Sequence, residues 1–252
     1  MKLKLFSQLG FIALLTLCLS SHAFAQTEIA WGDFSNIVNP NGGSGGPFSI
    51  DNSAGGGSLT FTANLTRWDT NNSNVNDFSA GETSDSQFTW DDSVRSLIGF
   101  GDTAYTATFD NISSNDGSLY LGAGALENDN ILTIAAFDSN GSAVSLADTT
   151  LIGQWNGPGS GGTPQWNSTL GTLSTPGGGA SGANALVDLS NLGINRIELN
   201  YTDAAGGTVR AGDRWHVDIA SNAAASSIPE PSSLLLLCSI AGVMSISRRR
   251  FA

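Results

Sequence analysis

Cysteine and histidine are nearly absent from the central part of this 252-residue chain. The two cysteines, Cys18 and Cys238, lie in apolar segments near the two ends, so the residues between those segments have no disulfide and no thiol chemistry. His22 lies in the first of these segments, which leaves His216 as the single imidazole of the central part. A site built from two or more histidines is therefore excluded within one chain.

Positive charge is also scarce. Residues 26–227 contain five arginines and 21 acidic side chains, which gives this part a net charge of −16. Such a surface repels phosphate backbones and anionic membranes, so no nucleic-acid partner is expected. Solubility outside the cell, or binding of divalent cations, is the more natural use of this charge.

Catalytic motifs are missing as well. A Ser-His-Asp triad would have to use His216, and no G-x-S-x-G elbow is present. Glycoside hydrolysis needs two carboxylates in one cleft, and the candidate glutamates are Glu127 and Glu198. We expect no catalytic residues and no enzyme activity. The alternative is a secreted carbohydrate-active enzyme, glycoside hydrolase-like, on a β-sandwich.

Both ends of the chain carry signals for export. Lys2 and Lys4 precede an apolar stretch at residues 11–19, and an A-x-A sequence follows at residues 23–25, so residues 1–25 are predicted to be a signal peptide. At the other end, residues 223–252 form a linker and an apolar tail. Its uncharged segment, residues 234–246, is shorter than the roughly 20 residues that span a bilayer comfortably.

The order of features in the C-terminal tail is informative. Prolines at two positions keep the chain extended, and a helix begins only after them. The apolar segment follows, and the three arginines behind it would remain in the cytoplasm. The residues predicted to act in sorting and processing are Pro229, Glu230, Pro231, Arg248, Arg249 and Arg250.

This tail resembles the PEP-CTERM sorting signal of Gram-negative bacterial surface proteins in all three parts and in their order. The resemblance implies recognition by an exosortase, a membrane-embedded transpeptidase, with cleavage near the Pro-Glu-Pro motif. It further implies transient anchoring in the inner membrane and then transfer to the cell surface or extracellular matrix. The chain is expected to meet the membrane only through its signal peptide and its C-terminal segment.

The central residues, 26–222, are predicted to form one all-β domain. Glycine runs at residues 42–46, 55–57, 157–162 and 177–179 indicate loops. Between them, apolar residues alternate with period two, which is typical of half-buried strands. About ten strands without a convincing amphipathic helix predict a two-sheet antiparallel sandwich, jelly-roll-like.

The alternation also predicts which side chains face the core. Residues 131–137 and 143–146 flank a turn sequence and are expected to form a hairpin, and residues 165–173 are expected to form one strand. In the last strand His216 and Asp218 fall on the outer face, and His216 is expected at the surface. The predicted inward side chains include Leu59, Phe61, Ala63, Leu65, Ile197, Leu199, Tyr201, Trp215, Val217 and Ile219.

Two ligand sites are suggested by local sequence. A repeated motif places Gln154 beside Trp155 and Gln165 beside Trp166, on either side of a glycine-rich loop. Paired indoles stack on sugar rings and amides bind hydroxyls, so these four residues are candidates for glycan binding. The alternative is that both indoles anchor the core or the loop.

The second suggestion is structural calcium. It would use one of three acidic loops, none of which has the EF-hand or nonapeptide-repeat spacing, so solvated turns are the preferred interpretation. No other cofactor is expected. The three loops contain Asp69 and Asp77, then Asp85, Asp91 and Asp92, and finally Asp110 and Asp116.

Together these features predict an exported, exosortase-processed and non-catalytic protein of the cell surface or extracellular matrix. Its expected partners are the exosortase and extracellular polysaccharide.

Overall fold

The computed structural model describes residues 27–34, 45–66, 68–69, 88–89, 97–100, 105–126, 130–156, 163–175, 183–202 and 214–223. These residues all belong to one compact unit, Gln26–Ala224. They form sixteen β-strands and one short 3-10 turn, Ser53–Gly55, and contain no α-helix. Within these ranges no helix is long and apolar enough to cross a membrane. The predicted signal peptide and sorting tail lie outside them.

The first sheet, called sheet 1, has eight strands. They are β1 (Thr27–Trp31), β4 (Trp68–Asp69), β5 (Phe88–Thr89), β6 (Leu97–Phe100), β8 (Tyr120–Leu126), β11 (Thr150–Asn156), β14 (Ala183–Asp188) and β16 (Arg214–Asn222). The main path runs β11-β14-β8-β16-β1-β5, while β6 pairs with both β16 and β4. Its pairs are antiparallel apart from β1 with β5, which is parallel.

The second sheet, called sheet 2, also has eight strands and is antiparallel throughout its described pairs. They are β2 (Gly45–Asp51), β3 (Thr60–Thr66), β7 (Tyr105–Ser113), β9 (Ile131–Phe137), β10 (Ala143–Val144), β12 (Gln165–Asn167), β13 (Thr172–Ser174) and β15 (Arg196–Thr202). The path runs β12-β13-β9-β15-β7-β3-β2, and β10 pairs with β9. The predicted all-β sandwich of two sheets is thus confirmed, and β1 with β5 is the one parallel pair in otherwise antiparallel sheets.

The two sheets share one apolar core. Each sheet contributes alternate residues to it, because successive side chains of a strand point to opposite faces. Three phenylalanines lie near its centre, with ring centroids 5.3–6.2 Å apart. The predicted inward positions are confirmed where side chains are described: Leu59, Phe61, Ala63, Leu65, Ile197, Leu199, Tyr201, Val217 and Ile219 are all buried in this cluster. The side chain of Trp215 lies outside the described part of the chain.

Two strand predictions need correction. Residues 165–173 are not one strand, because β12 and β13 form a hairpin around a turn. The turn includes Gly171 at φ +62°, where a Cβ atom would come within 2.4 Å of the Ile134 carbonyl oxygen. The glycine run at residues 42–46 is not wholly a loop, since Gly45 and Gly46 begin β2. The hairpin of β9 and β10 is confirmed.

One buried amide joins the sheets. The side chain of Asn52, which follows β2, donates to the Ala30 carbonyl oxygen of β1 (2.9 Å) and to Ser221 Oγ of β16 (2.7 Å). Its Oδ1 accepts the amide hydrogen of Leu59 (2.8 Å). Because a buried amide is costly without partners, these bonds fix how this corner of sheet 2 meets sheet 1. Gly57 must remain glycine, as a Cβ atom would lie 2.3 Å from the Asn52 amide.

Candidate functional site

The two glutamine-tryptophan motifs lie on the edge strands of the two sheets. Gln154 and Trp155 belong to β11, at the end of sheet 1, whereas Gln165 and Trp166 belong to β12, at the end of sheet 2. The side chains of Gln154 and Gln165 are exposed. The side chain of Trp155 is outside the described residues, so whether the two indoles face one ligand stays a prediction.

Trp166 has contacts that anchor it to the domain. Its ring is half-buried and packs against the shared core. The indole N–H donates to Thr149 Oγ1 at 3.0 Å, and that hydroxyl in turn donates to the Leu146 carbonyl oxygen at 2.6 Å. This chain of hydrogen bonds holds β12 against the connection that precedes β11. The indole N–H is therefore already paired within the domain.

Hydroxyl and amide side chains form a row across the outer face of sheet 2, the face turned away from the shared core. Five residues lie at directly paired positions on five neighbouring strands, and adjacent strands are about 4.8 Å apart, so the row is about 19 Å long. We call it the Thr/Asn row: Asn167, Thr172, Thr133, Asn200 and Thr106, in spatial order.

A shallow groove follows the middle of this row. Its volume is about 230 Å³, and its polar lining comes from β7, β9 and β15. The next row of paired residues, Ala135, Glu198 and Thr108, forms its other wall. Glu198 is half-exposed, and its carboxylate lies 3.2 Å from the guanidinium of Arg196. The groove therefore combines neutral hydrogen-bonding groups with one carboxylate that has a cation beside it.

The chemistry of the row suits a polyhydroxylated ligand. A threonine hydroxyl both donates and accepts, and an asparagine amide offers two donors and one acceptor oxygen. None of the five residues is charged, although the chain has a net charge of −12. The ring of Phe137 is already covered on one side, because the Arg196 guanidinium lies 4.2 Å from its centre. Recognition here would rest on hydrogen bonds.

Glu198 and Glu127, proposed for the alternative enzyme, are not seen together. Glu198 projects from the outer face of sheet 2 beside Arg196, and Glu127 lies outside the described residues. The backbone of His216 pairs with Gly124 of β8 and Ile98 of β6. Its side chain is likewise not among those described.

The acidic loops that suggested calcium are only partly described. No group of three or more potential metal-ligating side chains occurs among the described residues. Asp116 is held by serines: Oδ1 accepts from Ser114 Oγ (2.8 Å) and Ser118 Oγ (2.6 Å), and Oδ2 accepts from the Asn222 amide (2.9 Å). Partial burial opposes ionisation, but these bonds lower the pKa of Asp116 to about 2. Asp77, Asp85, Asp91 and Asp92 fall outside the described ranges.

The side chain of Asp218 lies on the outer face of sheet 1 and is nevertheless buried. It lies opposite Val217 and Ile219 on β16, as the alternation predicts, yet it is only 2% exposed. Burial raises the pKa of its carboxyl well above the usual value, although the amides of Ile219 and Gly32 donate to it, and the negative charge of Asp33 raises it further. The outer face of sheet 1 is therefore covered at this point.

The Thr/Asn row was not predicted from the sequence. The signal was present as alternating polar residues within β7 and β15, but neighbours across strands follow only from the strand order β12-β13-β9-β15-β7. No protein family, curated protein or solved structure matches the chain. The interpretation of the outer face therefore rests on its own geometry, and that of the tail on its own residues.

Proposed function

We propose that this is an exported protein of the cell surface or extracellular matrix, sorted by a PEP-CTERM/exosortase system, non-catalytic, and bound to a neutral extracellular polysaccharide. The observation that carries the proposal is the order of features in the C-terminal tail. A Pro-Glu-Pro motif precedes an apolar segment and an arginine triplet, and a signal peptide is predicted at the other end.

The outer face of sheet 2 supports the polysaccharide partner. The Thr/Asn row gives a regular series of donors and acceptors long enough for several sugar units. An acidic domain repels anionic polymers, so a neutral glycan is the favoured class. Gln165 extends the same surface at its edge, and Leu170, which is 66% exposed in the β12–β13 turn, adds an apolar contact.

The strand order supports a jelly-roll-like connectivity. Two runs of successive strands alternate between the sheets: β7, β8 and β9, and later β14, β15 and β16. Each such crossing places a connection at one end of the sandwich.

Sorting is tested by the mass and cellular fraction of the protein, with and without the exosortase. The matched variant changes Pro229, Glu230 and Pro231 to alanine. We expect the wild-type chain to lose its C-terminal segment and to reach the surface or medium, while the variant and the exosortase-free cells keep the uncleaved chain in the inner membrane. Retention of residues 232–252 in the wild-type protein would show that the tail is only an anchor.

A further inference from the structure

A second cavity lies at one end of the sandwich, away from the middle of the Thr/Asn row. Its volume is about 310 Å³. Three connections surround it: the one between β7 and β8, the one between β14 and β15, and the turn between β9 and β10. This volume is at the lower end of the range for ligand pockets, about 300 to 1,000 Å³, so it suits a small ligand.

Hydrogen bonds between the connections hold the cavity in shape. The backbone N–H of Asn191 donates to the carbonyl oxygen of Gly117 (2.9 Å). The backbone N–H of Ile112 donates to the carbonyl oxygen of Asn195 (2.9 Å), and the backbone N–H of Asn195 donates to the carbonyl oxygen of Phe137 (2.8 Å). The three walls are thus tied to one another and to the ends of the strands. A site of this kind exists before its ligand arrives, which reduces the ordering cost of binding.

The backbone around the cavity has an unusual conformation. Asn191 has φ +60°, which is uncommon for any residue except glycine. Gly117 faces it at φ +74°, and a Cβ atom there would lie 2.8 Å from Asn191 Oδ1. Glycine adopts positive φ without strain, and asparagine tolerates it better than most residues. These conformations bring Asn191 to the wall of the cavity.

The lining combines an apolar floor with a polar rim. Leu119, Leu189 and Ile194 are buried beneath it. Ser113 and Ser139 provide exposed hydroxyls at the rim. All lining residues are uncharged. A sugar ring has the matching pattern, since it presents C–H groups on one side and hydroxyls around its edge.

We infer that this end cavity binds a single neutral sugar unit, such as the terminal unit of a glycan chain. The volume corresponds to about ten water molecules at about 30 Å³ each, which is enough to hold one sugar ring. The choice of a sugar over another neutral polyol rests on the proposed function. The absence of charge from the named lining gives no cation to attract an acidic sugar.

Two exposed serines of one turn provide a matched test. Ser139 lines the cavity, whereas Ser142, three residues later, is exposed and does not line it. Ser139→Trp fills the cavity, and Ser142→Trp adds the same ring beside it. The full-length chain, purified in detergent, is titrated with D-glucose, D-galactose, D-mannose and D-glucuronate, with ligand-observed NMR as the readout and thermal unfolding as a check of folding.

We expect at least one of the neutral sugars to bind in the millimolar range. Ser139→Trp should weaken that binding at least tenfold, while Ser142→Trp changes it by less than twofold, and D-glucuronate should bind at least tenfold more weakly than the neutral sugar. The proposal is overturned if no neutral sugar binds at 50 mM, if both variants bind like the wild type, or if D-glucuronate binds equally well.

The result is separable from the proposed function. If a neutral sugar binds in the cavity but the tail is never processed, the cavity assignment stands and the sorting proposal fails. If the tail is processed and no neutral sugar binds, sorting stands and the cavity assignment fails.

Discussion

The outer faces of the two sheets differ in what they expose. On sheet 1 this face carries a second apolar cluster, whose members are all buried: Ile29, Trp31, Tyr120, Leu186 and Ala220. On sheet 2 it carries threonine, asparagine and other polar side chains that are exposed or half-buried. An antiparallel sheet needs only one covered face, so the second covered face of sheet 1 is the exceptional one. The open face of sheet 2 is the one available to a partner.

The covered face also holds a titratable group. Asp218 lies among buried residues, while Glu198 on the open face has Arg196 beside it in solvent. A carboxyl group thus affects stability differently on the two faces. On sheet 1 an acidic side chain works against folding at neutral pH, and on sheet 2 it is nearly neutral to stability.

The largest expected effect is on the covered face. Trp31 is 2% exposed and lies in the second cluster. Trp31→Ala removes a large buried ring and leaves a cavity, so we expect a loss of about 3 to 5 kcal/mol in the free energy of unfolding. Thr172→Ala on the open face should cost less than about 0.5 kcal/mol. Chemical denaturation measures both, and equal losses would contradict the difference between the faces.

The next effect depends on pH. Because the pKa of Asp218 is raised in the folded state, its contribution to stability is present below about pH 4 and is lost as the pH rises towards the folded pKa. Asp218→Asn is neutral at every pH. We expect the free energy of unfolding of this variant to rise relative to that of the wild type as the pH increases from 4, by up to about 1.4 kcal/mol per pH unit. Denaturation series between pH 3 and pH 8 measure the difference. Parallel stability curves would show that Asp218 titrates normally.

The contribution of Asp116 to stability should depend on pH in the opposite sense. Its pKa is lowered to about 2, so its contribution is present above about pH 4 and is lost as the pH falls through 2. Because the side chain is exposed, solvent screening reduces the effect, and we expect Asp116→Asn to cost about 1 kcal/mol at pH 7. The difference from the wild type should shrink towards pH 2, measured in the same series. A variant as stable as the wild type at pH 7 would refute this role.

The smallest effect is expected on the open face. The Arg196–Glu198 pair is solvent-exposed, so Glu198→Gln should change stability by less than about 0.5 kcal/mol. Salt should reduce even that change, because it screens surface charges. Urea denaturation at low and high ionic strength measures it. A loss above 1 kcal/mol would mean that the open face contributes to folding as the covered face does.

Sequence alternation was sufficient for the fold class and for the inward faces of β3, β15 and β16. It could not predict which outer face is covered, because Asp218 and Glu198 both sit at outward positions of an alternating strand. It also missed β2, where glycine is required by close backbone contact: a Cβ atom at Gly46 would lie 2.6 Å from the Ala63 carbonyl oxygen. Composition alone does not distinguish such a glycine from a loop glycine.

The candidate site was predictable in part. The motif around Gln165 and Trp166 was recognisable in the sequence, but the row beside it depends on pairings between strands far apart in sequence, such as Asn200 with Thr106. The end cavity depends on three connections that no local pattern brings together. Contacts between segments far apart in sequence therefore determine both the Thr/Asn row and the end cavity.

Retention of the protein on a purified neutral polysaccharide tests the proposed role of the open face most directly. Asn200→Asp adds one charge in the middle of the Thr/Asn row, and Asn115→Asp adds the same charge at an exposed position outside it. Co-sedimentation with the purified neutral polysaccharide should fall at least fivefold for Asn200→Asp and stay near the wild-type level for Asn115→Asp. Equal retention of both variants and the wild type would contradict binding through the outer face of sheet 2.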